Sequence, residues 1–270
     1  MLISVIVTTY NSPDVLKKCL DSFLLQKDKG FEIIIADDGS GNETKKLIEK
    51  YKNLKINVNH AWHNDNGFRA AKIRNEAVKL SSGDYLIFVD GDCLPFNNFI
   101  KNHRKISEHG YFARGNRIML SEIFSKNIIK NDQNINVISN LAFLKLRFKK
   151  DINRLIPIIN YINYPFRKIR KKDWRGAKTC NLGVWKNDFE NINGFDESYI
   201  GWGREDSDFV VRLINNKIYR KEATFSTGLL HLKHEINSRE NFSKNDKLLD
   251  EAINNNKTYI ENGYKKNEFI

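Results

Sequence analysis

The tripeptide Asp90-Gly91-Asp92 closes a short apolar run, Tyr85-Leu86-Ile87-Phe88-Val89. Two carboxylates flanking a glycine, which lets backbone approach closely, can hold a divalent cation against a diphosphate. Oxygen ligands suit Mg²⁺ or Mn²⁺. Taken alone, the tripeptide reads more readily as a glycine turn with two solvated acids, because short motifs carry a high false-positive risk. Polar groups recur in the same setting elsewhere: Thr8-Thr9 follows the apolar stretch Leu2 to Val7, and Asp37-Asp38 follows Phe31 to Ala36.

The elements that must position these groups are legible from periodicity. Five apolar residues after the turn signal Ser82-Gly83-Asp84 are too few for a buried helix and read as a strand covered on both faces. Ser12 before Pro13 marks a helix start. That helix runs to about Gln26, with Val15, Leu16, Leu20, Phe23 and Leu24 on one face. A helix with Leu47 and Ile48 inward follows the second strand. A short third strand is expected from Lys55 to Val58, and a helix from Phe68 to Leu80. Alternating strands and helices imply right-handed βαβ units and a parallel sheet. Thr8-Thr9, Asp37-Asp38 and Asp90–Asp92 then share the carboxyl edge of that sheet, where open α/β sheets bind ligands. By geometry alone this is a nucleotide crevice.

The second half is less regular. Tyr111 to Met119 and Gly176 to Val184 read as strands, and Asn134 to Phe148 as an amphipathic helix. Gly201-Trp202-Gly203 leads into a helix beginning near Glu205. Tyr219 to Phe225 and Leu229 to Leu232 are apolar segments, with His231 and His234 at the end. Between Lys145 and Lys178 a dozen Lys and Arg face two Asp, interleaved with aliphatic and aromatic residues. The last thirty residues are polar and read as a mobile tail.

The 270 residues suit one α/β domain with extensions. Hydrophobic residues at 40% and charged residues at 29% are a soluble globular composition, and the formal charge of +12 favours an anionic partner. Cys19, Cys93 and Cys180 are widely spaced, odd in number and without a CxxC pair, which argues against a disulfide framework or a zinc site and favours a reducing compartment. No basic segment or cleavage site resembling a secretory signal precedes the first strand, and no apolar run approaches the roughly 18 residues of a membrane span.

Five stretches in order carry a resemblance: Val5-Ile6-Val7-Thr8-Thr9-Tyr10-Asn11, Ile34-Ile35-Ala36-Asp37-Asp38-Gly39-Ser40, Asp90-Gly91-Asp92, Gly194-Phe195-Asp196-Glu197 and Gly201-Trp202-Gly203-Arg204-Glu205-Asp206. Together they resemble the family 2 glycosyltransferases. The last stretch is similar to chondroitin polymerases and β-1,4-galactosyltransferases, which usually carry a second Gly where this chain has Arg204. The resemblance implies an α/β GT-A nucleotide-diphospho-sugar transferase fold, with a mostly parallel sheet flanked by helices. It spans residues 1–235, divided into a nucleotide-binding half (1–118), a basic amphipathic insertion (119–178) and an acceptor-side half (179–235), with 236–270 a polar C-terminal tail.

The same resemblance implies the roles of single residues. Asp37 would accept a hydrogen bond from the uracil ring nitrogen. Thr8 and Tyr10 would line the base and ribose pocket, and Asp90 would bond the ribose. Asp92 and His231 would bind Mn²⁺ or Mg²⁺, with His234 an alternative ligand. Arg74 would lie near the nucleotide, its planar fork matching a diphosphate. Asp206 would be the catalytic base, Glu205 would hold a hydroxyl, Trp202 and Gly203 would line the sugar site, and Asp208 would be structural. In isolation Glu205-Asp206 at a helix N-terminus is favourable against the macrodipole alone.

The activity implied is inverting, metal-dependent transfer of a sugar (Gal, GalNAc, GlcNAc or GlcA) from a UDP-sugar to a glycan or glycolipid acceptor in bacterial surface polysaccharide or lipopolysaccharide synthesis. The location implied is cytoplasmic, with peripheral attachment to the inner face of the bacterial cytoplasmic membrane as the further option. Leu155, Ile158 and Phe166 of the basic segment would then dip into anionic lipid. A nucleotidyltransferase on a similar sheet would want a Gly-rich basic loop after the first strand, where Thr9-Tyr10-Asn11-Ser12 stands. A nucleic-acid-binding protein using Lys145–Lys178 would leave the acidic groups unexplained, so no nucleic-acid partner is expected.

Overall fold

The structure, a computed structural model, describes all residues except Lys55, 132–139, 235–237 and 267–270. A seven-stranded sheet runs in the order β3-β2-β1-β4-β8-β6-β9, and a three-stranded sheet in the order β5-β10-β7. The strands are β1 (Ile3–Thr9), β2 (Phe31–Asp37), β3 (Val58–Trp62), β4 (Tyr85–Asp90), β5 (Cys93–Pro95), β6 (Tyr111–Arg114), β7 (Ile118–Met119), β8 (Leu182–Trp185), β9 (Tyr219–Glu222) and β10 (Leu229–His231). The helices are α1 (Pro13–Leu24), α2 (Asn42–Lys52), α3 (Ala70–Lys79), α4 (Phe99–Ile106), α5 (Glu122–Lys130), α6 (Asn140–Phe148), α7 (Lys186–Asn191), α8 (Glu205–Asn215) and α9 (Phe242–Asn254).

β1 to β4 are parallel, as the alternation of strands and helices requires, while β8 enters antiparallel between β4 and β6. Strand periodicity divides the core into two layers. Ile3, Val5, Val7, Ile33, Ile35, Ile87 and Val89 face Leu16, Cys19, Leu20 and Phe23 of α1 and Ile48 of α2. Ile6, Ile34, Leu86 and Phe88 face Ala71, Ile73, Ala77 and Val78 of α3, together with Phe189, Phe195 and Phe209. Each Val, Leu, Ile and Phe among them contributes roughly 1.5–3 kcal/mol by leaving water. Phe195 stacks on Phe209 at 4.3 Å between centroids and meets Phe88 edge-on at 5.1 Å. The Gly194-Phe195 loop is thereby fixed to the centre of the sheet.

Several boundaries differ from expectation. Ser12 stands at the N-cap of α1, but its hydroxyl donates to the Tyr10 carbonyl rather than capping. The third strand begins where Val58 pairs with Ile33 and extends to Trp62, whose polar run Asn59-His60-Ala61-Trp62 shows no apolar alternation. Tyr111 to Met119 is two strands in two sheets, broken at Gly115, where a Cβ would collide with Asn181. Gly176 to Val184 becomes a short 3₁₀ turn and β8. The helix expected over Asn134 to Phe148 is described from Asn140 as α6, and residues 134–139 lie outside the described residues.

The basic segment is oriented differently from expectation. Leu155 and Ile158 pack against the core rather than outward. The exposed apolar residues include Leu141, Leu144 and Phe148 of α6, Ile156 and Ile159 in the same segment, and Phe166 and Ile169 further on. Nor do residues 242–265 form a tail. Leu249 and Ala252 of α9 are buried, Tyr264 meets Phe189 at 5.5 Å, and Asn193 bonds the backbone of Ile260, Tyr264 and Lys265. A few apolar anchors and backbone bonds hold a segment whose average polarity hides them.

Candidate active site

Parallel register aligns the ends of the central strands: Thr9 lies beside Asp37, and Thr8 beside Asp90. Asp37 has no exposed surface. Its Oδ1 accepts from the Ser40 amide at 2.8 Å and its Oδ2 meets His60 Nε2 at 2.9 Å. Asp38 is similarly engaged, by the Arg69 amide at 2.8 Å and His63 Nε2 at 2.8 Å, and burial pushes its carboxyl above the ordinary value. Tyr10 is half exposed, and its hydroxyl donates to Asp65 Oδ2 at 2.7 Å. Trp62 Nε1 donates to the Ser40 carbonyl at 3.0 Å. Gly39, at φ +97°, takes the backbone of Asp65 where a Cβ would clash. The loop after β3 therefore closes over the Asp37-Asp38-Gly39-Ser40 turn. Sequence reasoning missed this support; its only signal was two histidines three residues apart beyond the expected strand.

The second group gathers where the two sheets meet. β10 pairs antiparallel with β5, setting His231 opposite Cys93, and parallel with β7, setting it beside Met119. Asp92 Oδ2 lies 3.3 Å from His231 Nε2 and 2.9 Å from His234 Nε2. One ligand atom from each of Asp90, Asp92, Cys93 and His231 falls within 4.8 Å of the others. Burial and the neighbouring Asp92 raise the carboxyl of Asp90. Burial works against Asp92 too, but His231 and His234 hold its carboxyl below the ordinary value. Burial also pushes the Cys93 thiol well up, and the other atoms of the group are carboxylate oxygen and imidazole nitrogen. Such a set fits a divalent cation, and the imidazole favours Mn²⁺ over Mg²⁺. Cys93 belongs to the cluster by following Asp92 in the chain, whereas His231 reaches it only through the fold.

The third group is the start of α8. Gly201, Gly203 and Arg204 have φ of +77°, +107° and +77°, so the chain makes a left-handed turn into the helix. Arg204, standing where the similar enzymes carry glycine, holds this conformation with its guanidinium 2.7 Å from Asp246 and 4.9 Å over Phe242. Trp202 stacks on Phe242 at 5.9 Å, and Asn245 donates to the Ile200 and Gly203 carbonyls at 3.1 and 3.0 Å. The segment expected to be a tail thus builds this loop. Asp208, as expected, is structural: it forms a buried ion pair with Arg212 at 2.8 Å.

Arg74 joins the three groups. Its Nε donates to Thr8 Oγ1 at 3.1 Å, its Nη1 to Glu205 Oε1 at 3.1 Å, and its Nη2 lies 3.5 Å from Asp90 Oδ1. Only 4% of the residue is exposed, with the guanidinium over Phe195. Glu205 Oε2 is buried with no partner among the described residues. Asp206, beside it, is half-buried, and burial together with the Glu205 charge pushes its carboxyl up to about 7. A carboxylate with that pKa is suited to exchange protons near neutrality.

The carboxylates gather at the carboxyl edge of a mostly parallel sheet, with the candidate cation ligands on one side and Glu205-Asp206 on the other, in a fold of GT-A architecture. Residues 4–173 match the Glycosyl transferase family 2 model, and residues 165–235 that of the N-terminal domain of galactosyltransferase. The chain belongs to glycosyl transferase family 2. Validoxylamine A glucosyltransferase of Streptomyces hygroscopicus subsp. jinggangensis is 22% identical over 258 residues, covering 90% of this chain and 58% of that protein. The chain therefore spans little more than half of that relative. The UDP-Glc:alpha-D-GlcNAc-diphosphoundecaprenol beta-1,3-glucosyltransferase WfaP of Escherichia coli is 29% identical over 175 residues, covering 64% of this chain and 67% of that one. Among solved structures, S. aureus TarS 1-349 in complex with UDP-GlcNAc superposes with a TM-score of 0.59 at 19% identity, over 92% of this chain and 65% of that one.

Proposed function

We propose that this chain is an inverting, metal-dependent glycosyltransferase that moves a sugar (Gal, GalNAc, GlcNAc or GlcA) from a UDP-sugar to a glycan or glycolipid in bacterial surface polysaccharide or lipopolysaccharide synthesis. The observation that carries this reading is the bridge from Glu205-Asp206 through Arg74 to Asp90 and its cation cluster. That link supports reading Asp206 as a base close to a diphosphate site. Asp206 takes the proton of an acceptor hydroxyl as that oxygen bonds to the anomeric carbon, and the bond from that carbon to the UDP oxygen breaks on the opposite face. Glu205 Oε2, with unused lone pairs, accepts from a sugar hydroxyl. Trp202 offers the acceptor sugar an apolar face. Asp92 and His231, with Asp90 and His234 beside them, would hold Mn²⁺, whose charge offsets that of the leaving diphosphate when bound.

The test is UDP release across a panel of UDP-sugars, with and without glycan acceptors, in Mn²⁺ or EDTA. Release from one donor that EDTA abolishes is the expected result. A protein that binds no UDP in the presence of Mn²⁺ would overturn the reading.

The lipid-linked acceptor named for the E. coli relative favours a membrane-side location for this chain as well. No helix among the described residues is long and apolar enough to cross a membrane. On α6, Leu141, Leu144 and Phe148 recur at helical spacing and are exposed, flanked by exposed Lys145, Arg147, Lys149 and Lys150. An apolar stripe beside basic residues suits an anionic lipid surface. Flotation with anionic vesicles should recover the protein, and Leu144→Glu with Phe148→Glu should release it. Equal recovery with neutral vesicles would remove this location.

A further inference from the structure

We propose that Arg117, and not Arg74, is the guanidinium that grips the diphosphate of the bound nucleotide. This rests on the reading of the crevice as a UDP-sugar site. Arg74 is almost fully buried, and its Nε, Nη1 and Nη2 are directed at Thr8, Glu205 and Asp90. A fork so engaged would have to give up internal partners to meet a phosphate, leaving Glu205 a buried, unpaired charge.

Arg117 is the opposite case. It is half-buried, and its side chain makes no hydrogen bond or ion pair among the described residues. A guanidinium carries five N–H donors, and a half-buried one with none committed is prepared for a ligand. Its position is set by the small sheet. Arg117 directly precedes β7, which pairs with β10 beside His231, and β10 in turn pairs with β5 at Cys93. The guanidinium consequently lies within the electrostatic reach of Asp90 and Asp92 and of the Cys93 and Cys180 thiols.

The backbone leading to Arg117 is held in place. Asn181 accepts from the Gly115 amide through its carbonyl at 2.9 Å and donates from Nδ2 to the Asn116 carbonyl at 3.0 Å. The Arg117 amide donates to Asn116 Oδ1 at 2.8 Å. Gly115 is required there because a Cβ would meet the Asn181 side chain. A cation on a pinned backbone near Asp90 and Asp92, the acids that would hold a divalent ion, is placed to meet a diphosphate bound there. Planar bidentate recognition of phosphate is what Arg does better than Lys.

The test measures binding of UDP, of uridine and of a UDP-sugar by calorimetry with Mn²⁺, and of Mn²⁺ alone, for wild type, Arg117→Ala and Arg117→Lys. Arg117→Ala is expected to weaken UDP by roughly 10–100-fold, the loss of hydrogen bonds to a charged group. Uridine should stay within about twofold, and Arg117→Lys should recover part of the loss. The melting temperature should stay within about 2 °C of wild type, since no internal bond of the side chain is removed. Four outcomes overturn the proposal. Equal losses for uridine and UDP would make Arg117 a support of the pocket. A loss for the UDP-sugar with none for UDP would assign it to the sugar. Tighter Mn²⁺ with unchanged UDP would make it only a counter-ion to Asp90 and Asp92. Absence of UDP binding by the wild-type protein would remove the underlying reading as well, and is thereby distinguishable from the other three.

Discussion

Asp206→Asn is expected to lower the rate of sugar transfer by about 10²–10⁴, the usual range for removing a positioned base, while UDP still binds. The pH dependence gives an independent check. The Asp206 carboxyl is held at about 7, so below neutrality most of the protein carries it protonated and unable to accept a proton. kcat/KM should therefore rise about tenfold per pH unit below about pH 7 and level off above it. Glu205→Gln removes one of the charges that raise this value, so the midpoint should move to lower pH. The sign for stability is opposite to that for activity. A carboxyl whose folded value exceeds its unfolded one is favoured by the fold when neutral, and stability is lost as pH rises through the folded value. Asn, which is never charged, should then leave the melting temperature at pH 8 unchanged or higher. A variant that melts earlier, or that retains transfer within tenfold of wild type, would remove Asp206 from the role of base.

Much of this site is written in local sequence. The three acidic or hydroxyl groups at strand ends were legible because apolar runs of five to seven residues stop abruptly at Thr8-Thr9, Asp37-Asp38 and Asp90. The parallel alternation then compels one edge. The partners of those groups were less legible. His60 lies in β3 and His63 just after it, past the expected end of that strand, and Phe242, Asn245 and Asp246 stabilise the Gly201–Arg204 turn through a ring stack, hydrogen bonds and an ion pair that the polar composition of their segment conceals. Arg117 shows the limit most directly. It has no motif, and only the pairing of a two-residue strand brings it near His231 and the candidate cation ligands. The number of donors Arg74 has left could not be read from its neighbours in sequence, because the three partners are separated from it by 66, 16 and 131 positions.

Arg74→Ala is expected to cost about 3–5 kcal/mol of stability, the range for breaking a buried ion pair by removing one partner. No discount for solvent applies at 4% exposure. At roughly 2–4 °C per kcal/mol for a chain somewhat shorter than this one, the melting temperature should fall by on the order of 10 °C. The reason is structural and specific. Without the guanidinium, Glu205 loses the donor to Oε1 while Oε2 already has no partner, so a buried carboxylate is left with neither oxygen engaged. Asp90 loses a cation at 3.5 Å, although burial and Asp92 already oppose its ionisation. Arg74→Lys keeps the charge but replaces a fork with a single ammonium, so one of the three links can be retained and an intermediate loss follows. Combining Arg74→Ala with Glu205→Gln should be less damaging than the sum of the two, by about 0.5–3 kcal/mol, because the stranded charge is gone. Thermal melts of the four proteins at one pH make the comparison. Additive losses, or an Arg74→Ala protein melting within about 2 °C of wild type, would show that Arg74 is not the clamp between the strand edge and α8, and would return its donors to the nucleotide.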